Sequence, residues 1–409
     1  MTGENVTRQR IVIAGAGIGG LATAAALGHN GGDYDIEIYE RADAVRGLAG
    51  SGLTIWGNAV AALGRVGLGD AVKELGSPLE SQVVVTDGGS TLTEAPIGRF
   101  QREHADIGVG IRRQALLDML LRAVGPDRVR YEERVVGYRA TGDGDGVDVL
   151  LQSGGAVRAD ILIGADGLRS AIRRQMLGDG DPTPLKHMVW RGISDSSAHF
   201  PAETVLMVYG AHATRMVAWP VDDDSVCWSI GRNGTPARDS ASPAVLKEQL
   251  LSFIDGFPKA NRHILENTPA ERLIRTDLFA RKRLNRLVDG RVALLGDAGH
   301  AMPTVFGQGA CMAIEDAVVL ADCLADAPSD QTPDAGLREY ERRRLPRLEW
   351  VREQVFKVSR YQEWESPLLV TMRNTVMRTM PASRQEAMWR RMFAFDPGRP
   401  AEERADAGH

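Results

Sequence analysis

The chain has 409 residues, 43% of them hydrophobic, 25% charged and 6% aromatic, the proportions of a globular enzyme with a large core rather than of a disordered or fibrous chain. A formal net charge of -5 and an isoelectric point near 6.0 offer no basic face to phosphates, so no nucleic-acid partner is expected. The polar start runs straight into an apolar strand, and no uninterrupted apolar run reaches the roughly 18 to 20 residues of a membrane span; the expectation is a cytoplasmic protein.

From Arg10 to Ala14 a short β-branched run leads into GAGIGG, LATAAAL reads as helix, and IEIYE ends a second strand near Glu40, which together predict a βαβ unit. Its glycines form G-x-G-x-x-G at Gly15, Gly17 and Gly20. The first permits the tight turn, the second lets the backbone approach a pyrophosphate, and the third lets helix pack closely on strand. Phosphate oxygens then accept from N–H groups at the positive helix end. Glu40 follows roughly 20 residues later, where an acid accepts from ribose hydroxyls, and Arg41 beside it is a further candidate cofactor contact. Strand, triad, helix and acid in that order predict dinucleotide binding over an ordinary glycine-rich turn, without choosing between NAD and FAD.

Gly52 to Leu68 predicts a turn and a short helix ending at glycine, and VVVTDGGSTLTEA a hairpin. Arg113 to Val124 reads as a second helix. The stretch from Tyr131 to Gly167 reads as a β-meander with Gly/Asp turns closing on the buried strand ILIGA. Between Pro182 and about Pro236, TVLMVYG, TRMVAWP and SVCWSIG alternate at strand period with DDD and RNG turns between them, a separate antiparallel sheet. Ala244 to Phe257 is helical, RVALLGDAGH returns to a buried strand, and GACMAIEDAVVLADCLA is an apolar helix that resumes the nucleotide domain. Pro328 to Pro333 marks a linker, and the chain is helical from Leu337. The expected organisation is a discontinuous nucleotide-binding domain of residues 8–80, 100–180 and 276–328, a β-sheet substrate domain of 81–99 and 181–275, and a helical C-terminal segment of 334–400. Cys227, Cys311 and Cys323 are odd in number with no CxxC pair, so neither disulfides nor a metal site is expected.

Two further motifs choose the cofactor. ADGLRS spans Ala165 to Ser170 with Arg173 after it, and GDAGHAMPTVFGQGACMAIEDA runs from Gly296 to Ala317. With these the chain, from about Ile11 to Arg343, resembles the class A, single-component FAD-dependent monooxygenases, or aromatic hydroxylases, and within them the branch of zeaxanthin epoxidases and FAD-dependent urate hydroxylases. The resemblance implies an α/β, p-hydroxybenzoate hydroxylase-like fold, with a Rossmann-like FAD-binding domain, an inserted antiparallel sheet and C-terminal helices. It implies that Asp297 bonds the ribityl chain of FAD, and that Gly309, Ala310 and Cys311, within the stretch from Gly307, present backbone N–H groups to the flavin N1 and O2 edge. A reduced flavin is anionic there, and N–H donors at a positive helix end favour it. Asp166 and Gly167 are placed near the pyrophosphate and linked to FAD and NAD(P)H, Arg113 reaches the pyrophosphate, and Pro303 sits by the flavin face. Cys311 departs from the family, which commonly carries asparagine there; a small thiol in an apolar helix start reads as packing rather than as a nucleophile.

No second glycine triad is present, so NADH or NADPH is expected as a transient co-substrate, with O2 adding to the reduced flavin as a C4a-hydroperoxide. The protein must then orient a small aromatic or heteroaromatic substrate and exclude water. Hydroxylation and alkene epoxidation both stay open. Activating a phenol calls for a base or cation near the ring, and the candidates are Arg191, His212, Arg215, Trp219 and Trp56. Each has an ordinary alternative: a surface arginine, an exposed histidine after a turn, a core tryptophan. The Met- and Arg-rich tail is expected to pack its apolar face on its own domain rather than on a membrane, with monomer and homodimer both open. A flavin-dependent halogenase would carry WxWxIP, which is absent. A reductase or oxidase need not carry the proline of GDAGHAMP, and a sequestration protein would bind its ligand without turnover.

Overall fold

The computed structural model describes residues 8–47, 50–142, 144–234, 242–327 and 333–395. The linker expected at Pro328 to Pro333 and the last residues of the C-terminal segment, 396–400, lie almost wholly outside the described residues.

The chain opens as β1 (Gln9–Ala14), α1 (Ile18–His29) and β2 (Tyr34–Tyr39), the βαβ unit its pattern predicts. Next come β3 (Gly52–Ile55), α2 (Gly57–Gly64), α3 (Gly69–Glu74), β4 (Ser77–Pro78), β5 (Ser81–Thr86), β6 (Thr91–Ala95), α4 (Ile97–His104), β7 (Val109–Arg112) and α5 (Arg113–Val124). The four residues of β3 become a strand only by pairing with β7, Leu53 opposite Ile111, which is why sequence pattern reads that stretch as a turn. After β8 (Val129–Arg130), the strands β9 (Val135–Ala140), β10 (Val147–Leu151) and β11 (Ala156–Ala159) form a three-stranded antiparallel meander. It leads into β12 (Ile161–Gly164), all four residues of which are buried. β12 lies beside β1 in a six-stranded sheet ordered β18-β19-β12-β1-β2-β8, where Ile11 faces both Ile161 and Ile36 in parallel register. Buried on both faces, these strands read as near-continuous Ile/Val/Leu runs.

After α6 (Ala171–Leu177), the strands β13 (Thr183–Ser194), β14 (Thr204–Tyr209), β15 (Arg215–Pro220) and β16 (Val226–Asn233) build a second sheet, followed by α7 (Pro243–Phe253), α8 (Lys259–Glu266) and β17 (Ile274–Ala280). Its order is β17-β13-β16-β15-β14-β5-β6. Every pair is antiparallel except β5 with β14, so the early hairpin joins this sheet by a parallel edge. One face buries Trp190, Met216, Trp228 and Ile230 with Leu250, Ile254, Ile264 and Leu265 of α7 and α8 and their flanks. Along β15 the alternation is clear: Met216, Ala218 and Pro220 are buried, while Arg215, Val217 and Trp219 are half-buried on the other face, which turns toward the nucleotide-binding part. There the Trp219 indole donates to the Leu53 carbonyl at 3.2 Å.

β18 (Val288–Asp289) and β19 (Val292–Leu294) return to the first sheet and lead into α9 (Gly296–His300), α10 (Gln308–Ala325), α11 (Asp334–Gln362), α12 (Pro367–Thr379) and α13 (Ala382–Phe393). α11 runs 29 residues through Pro346. α13 buries Trp389, Met392 and Phe393, the packing expected of the tail, whereas α12 buries only Arg373. No helix among the described residues is long and apolar enough to cross a membrane.

Candidate active site

Gly15 follows β1 at φ +105°, and a side chain there would begin 2.6 Å from the Ala165 carbonyl oxygen, so the two strand ends approach as only glycine allows. Gly17, before the first turn of α1, has nothing within 4 Å of where a side chain would begin and no side chain caps the helix. That leaves N–H groups at a positive helix end to an anion. The Glu40 carboxylate accepts from Ala16 N at 2.8 Å and Ala42 N at 3.0 Å, tying the glycine loop to the end of β2. Arg41 is exposed.

At the far end of the cradle Asp297 is exposed in α9, without a hydrogen bond or ion pair among the described residues. Its charge acts on Arg113, the first residue of α5, whose guanidinium burial holds below its usual range. Burial lowers Arg191 on β13 as well, and the positive charge of Arg113 adds to the effect. Asp297, Arg113 and Arg191 thus gather at the seam between cradle and sheet. Asp166 accepts from Ala171 N at 2.7 Å, its second oxygen is buried without a partner, and burial raises its pKa.

α10 begins after Gly307, in the left-handed region at φ 65°, with no side-chain cap. Gly309 has nothing within 4 Å of where a side chain would begin, Ala310 is half-buried and Pro303 is buried in the connection from α9. Burial pushes the Cys311 thiol up to about 12; Sγ accepts from Trp56 N at 3.4 Å and lies 3.6 Å from the Thr54 carbonyl. Trp56 is 3% exposed, donates to the Phe306 carbonyl at 2.6 Å and lies against Phe393. It supports the turn before Gly307 from within the core.

Sequence reasoning missed what fixes α9 and α10. Arg344 of α11 donates to Asp316 and Glu315 of α10, both at 2.7 Å. Asp316 also accepts from Gly296 N at 3.0 Å and pairs with His300. Glu315 also accepts from Asn58 and Arg347, and Arg347 reaches the carbonyls of Arg391 and Met392. Burial alone would raise the Asp316 carboxyl, but His300 and Arg344 overcome it and hold the group at about 2. The signal available was two adjacent acids, Glu315 and Asp316, in the middle of a largely apolar helix.

On the sheet, Val189, Gly231, Arg215 and Tyr209 stand side by side in register. A side chain on Gly231 would begin 2.6 Å from His187 Nε2 and 3.2 Å from Arg215 Cζ, so the glycine makes room for both groups. Arg215 Nη1 and His187 Nε2 are buried without hydrogen-bond partners among the described residues. Burial brings Arg215 down to about 10, while burial and then the Arg215 charge bring His187 down to about 3. Asn233 gives both amide protons to Glu363 O and Glu365, so its oxygen accepts from His187 Nδ1 at 3.2 Å and His187 Nε2 is left as an acceptor. His212 stands exposed on the turn between β14 and β15, apart from this group.

A glycine cradle on a parallel sheet, with a second sheet turned toward it, is the architecture of a p-hydroxybenzoate hydroxylase-like flavoprotein. The chain belongs to the FAD binding domain family, whose model matches residues 8–355, and to its FAD-dependent monooxygenases. Aurachin C monooxygenase/isomerase of Stigmatella aurantiaca is 32% identical over 95% of this chain and 98% of its own length. The 2-heptyl-3-hydroxy-4(1H)-quinolone synthase of Pseudomonas aeruginosa is 30% identical over 94% of this chain and 97% of its own length. The solved structure of Klebsiella pneumoniae HpxO complexed with FAD and uric acid matches at a TM-score of 0.84 and 26% identity, covering 95% of this chain and 97% of that one. FAD-dependent urate hydroxylases and chloroplastic zeaxanthin epoxidases are also relatives, and the chain spans 53% of the Nicotiana plumbaginifolia epoxidase. The residues present fit FAD: uncapped starts of α1 and α10, open positions at Gly17 and Gly309, and Arg113 and Asp297 without side-chain hydrogen bonds among the described residues.

Proposed function

We propose that this monooxygenase hydroxylates a small heteroaromatic compound that carries a carbonyl or ionised hydroxyl beside a ring N–H, at the expense of NAD(P)H and O2. The observation that carries the reading is the buried pair over Gly231, one unpartnered donor on Arg215 and one unpartnered acceptor on His187. A buried guanidinium N–H without an acceptor is costly, and a substrate oxygen accepting from Arg215 relieves that cost while the ring N–H donates to His187 Nε2. Relatives whose names specify a quinolone, and a neighbour holding uric acid, support the same class.

FAD, when bound, takes electrons from the nicotinamide and activates dioxygen. In this reading the N-terminus of α1 and Arg113 hold its pyrophosphate, Asp297 the ribityl chain, and the N–H groups from Gly309 to Cys311 the pyrimidine edge. Arg191 and Trp219 close the seam against water, and residues 81–99 and 181–275 act as the substrate-holding part. Epoxidation of a polyene would leave Arg215 and His187 without a role.

The test titrates the yellow holoprotein with 4-quinolones, purines, phenols and polyenes, following the flavin spectrum, NAD(P)H oxidation, product and peroxide. A quinolone or purine is expected to bind and stimulate coupled turnover. Arg215→Gln should keep its FAD while the substrate Kd rises about 10- to 100-fold, the loss of a charge-assisted hydrogen bond. Unchanged affinity and coupling in that variant would remove Arg215 from the site.

A further inference from the structure

The outer side of α12 is not used by the fold. Its inner side supplies Arg373, whose guanidinium lies 4.2 Å from the Tyr209 ring centroid, and Met377, packed beside Val84, Leu92 and Met207. On the outside Leu368, Met372 and Val376, continued by Met380 just past the end of the helix, recur every four residues and are 78%, 48%, 53% and 43% exposed. The other exposed large apolar side chains among the described residues, Leu75, Val136, Val245 and Tyr361, are scattered along the chain. Single exposed apolar residues are ordinary, whereas a line of them on one helix face is not.

Two further observations say what covers that line. Thr371, Thr375 and Thr379, each next in sequence to a stripe residue, donate their hydroxyls to the carbonyls four residues back at 2.8–2.9 Å. Their polar atoms are thus satisfied inside the helix and need no water. From Pro367 to Gln385 the chain carries Arg373, Arg378 and Arg384 and no Asp or Glu, within a protein of net charge -5. Arg378 and Arg384 are exposed and make no ion pair among the described residues. A second copy docked symmetrically through this helix would bring arginine toward arginine, the flanking carboxylates of Glu365 and Glu386 being already engaged by Asn233 and Arg390. An anionic lipid surface supplies hydrocarbon for the stripe and phosphate for the arginines together.

We propose that α12 is a membrane-surface helix that seats the protein on bilayers containing anionic phospholipid, lying in the plane of the interface rather than crossing it. The sequence alone favoured packing of this segment on its own domain. The same helix covers Tyr209, the neighbour of Arg215 in register, so docking would bring the substrate-holding end of the sheet to the lipid surface. The proposal does not depend on which substrate the protein oxidises.

The test is co-flotation of the holoprotein with vesicles of phosphatidylcholine alone and of phosphatidylcholine with phosphatidylglycerol, at low and high salt. Wild type is expected to float with the anionic vesicles and to lose much of that binding in high salt. The double variant Leu368→Glu/Val376→Glu and the double variant Arg378→Glu/Arg384→Glu should each bind at least about 10-fold more weakly. Flavin content and melting temperature of both should match wild type, since all four positions are exposed. Wild type left behind by anionic vesicles at low salt overturns the proposal. So does a dimer in light scattering that Val376→Glu turns into a monomer, because a second copy would then cover the stripe.

Discussion

The role proposed for Asp297 in holding FAD can be tested apart from folding. The residue is exposed and has no hydrogen-bond partner among the described residues, so truncating it removes neither packing nor a hydrogen bond there. Asp297→Ala should change folding stability by less than about 0.5 kcal/mol yet purify colourless or without turnover. Cys311 is the converse case: buried, protonated and hydrogen-bonded to the backbone at Trp56. Cys311→Ser should retain FAD while losing about 1 kcal/mol of stability. Flavin absorbance relative to protein, with urea unfolding of both variants, checks the pair; a yellow and fully active Asp297→Ala would refute the assignment. Trp56 and Trp219 teach a related lesson. Both spend their indole N–H on backbone carbonyls, of Phe306 and Leu53, which makes them braces between segments.

Among the elements, the junction of α9, α10 and α11 is held by charge. Arg344 is 3% exposed and sits between two fully buried carboxylates. Burial would lower its pKa, but Asp316 and Glu315 reverse that and raise it. Removing one partner of a buried ionic cluster strands the others, at about 3 to 5 kcal/mol. Arg344→Met is therefore expected to lower the urea midpoint strongly and to weaken FAD binding, because α9 carries Asp297 and α10 the backbone from Gly309. Adding Glu315→Gln and Asp316→Asn to it should restore much of the stability. No recovery in the triple variant would mean that the network contributes through packing rather than charge.

Over the whole molecule, two buried groups link stability to pH in the same direction. His187 falls from an ordinary 6.5 to about 3, chiefly through burial, and Asp316 from 3.8 to about 2. In each case the unfolded chain binds the proton more tightly than the folded one. The stability they contribute is thus complete above the unfolded pKa and is lost as pH falls, over about 6.5 to 3 for His187 and about 4 to 2 for Asp316. Unfolding free energies from urea titrations between about pH 7 and about pH 4 should fall with a slope of up to about 1.4 kcal/mol per pH unit, and His187→Gln should flatten that window. An equal slope in the variant would assign the acid sensitivity elsewhere.

Local pattern was enough for the glycine triad between β1 and α1, for α5 with both its ends, for the hairpin of β5 and β6, and for the run of strands from β13 to β16. Periodicity, turn chemistry and the special freedom of glycine act over a few residues, and so they can be read along the chain. The family resemblance resting on GDAGHAMP and GQGACMAIEDA was legible for the same reason. Contacts across hundreds of residues were not. Asn58 meets Glu315, Gly52 meets Cys227, and β3 exists only because β7 lies beside it. His187, absent from any motif, gained its importance when Gly231 left room for it next to Arg215. Whether a charged or polar group is paired, stranded or dried out depends on which distant residues the fold brings to it, and only the tertiary structure decides that.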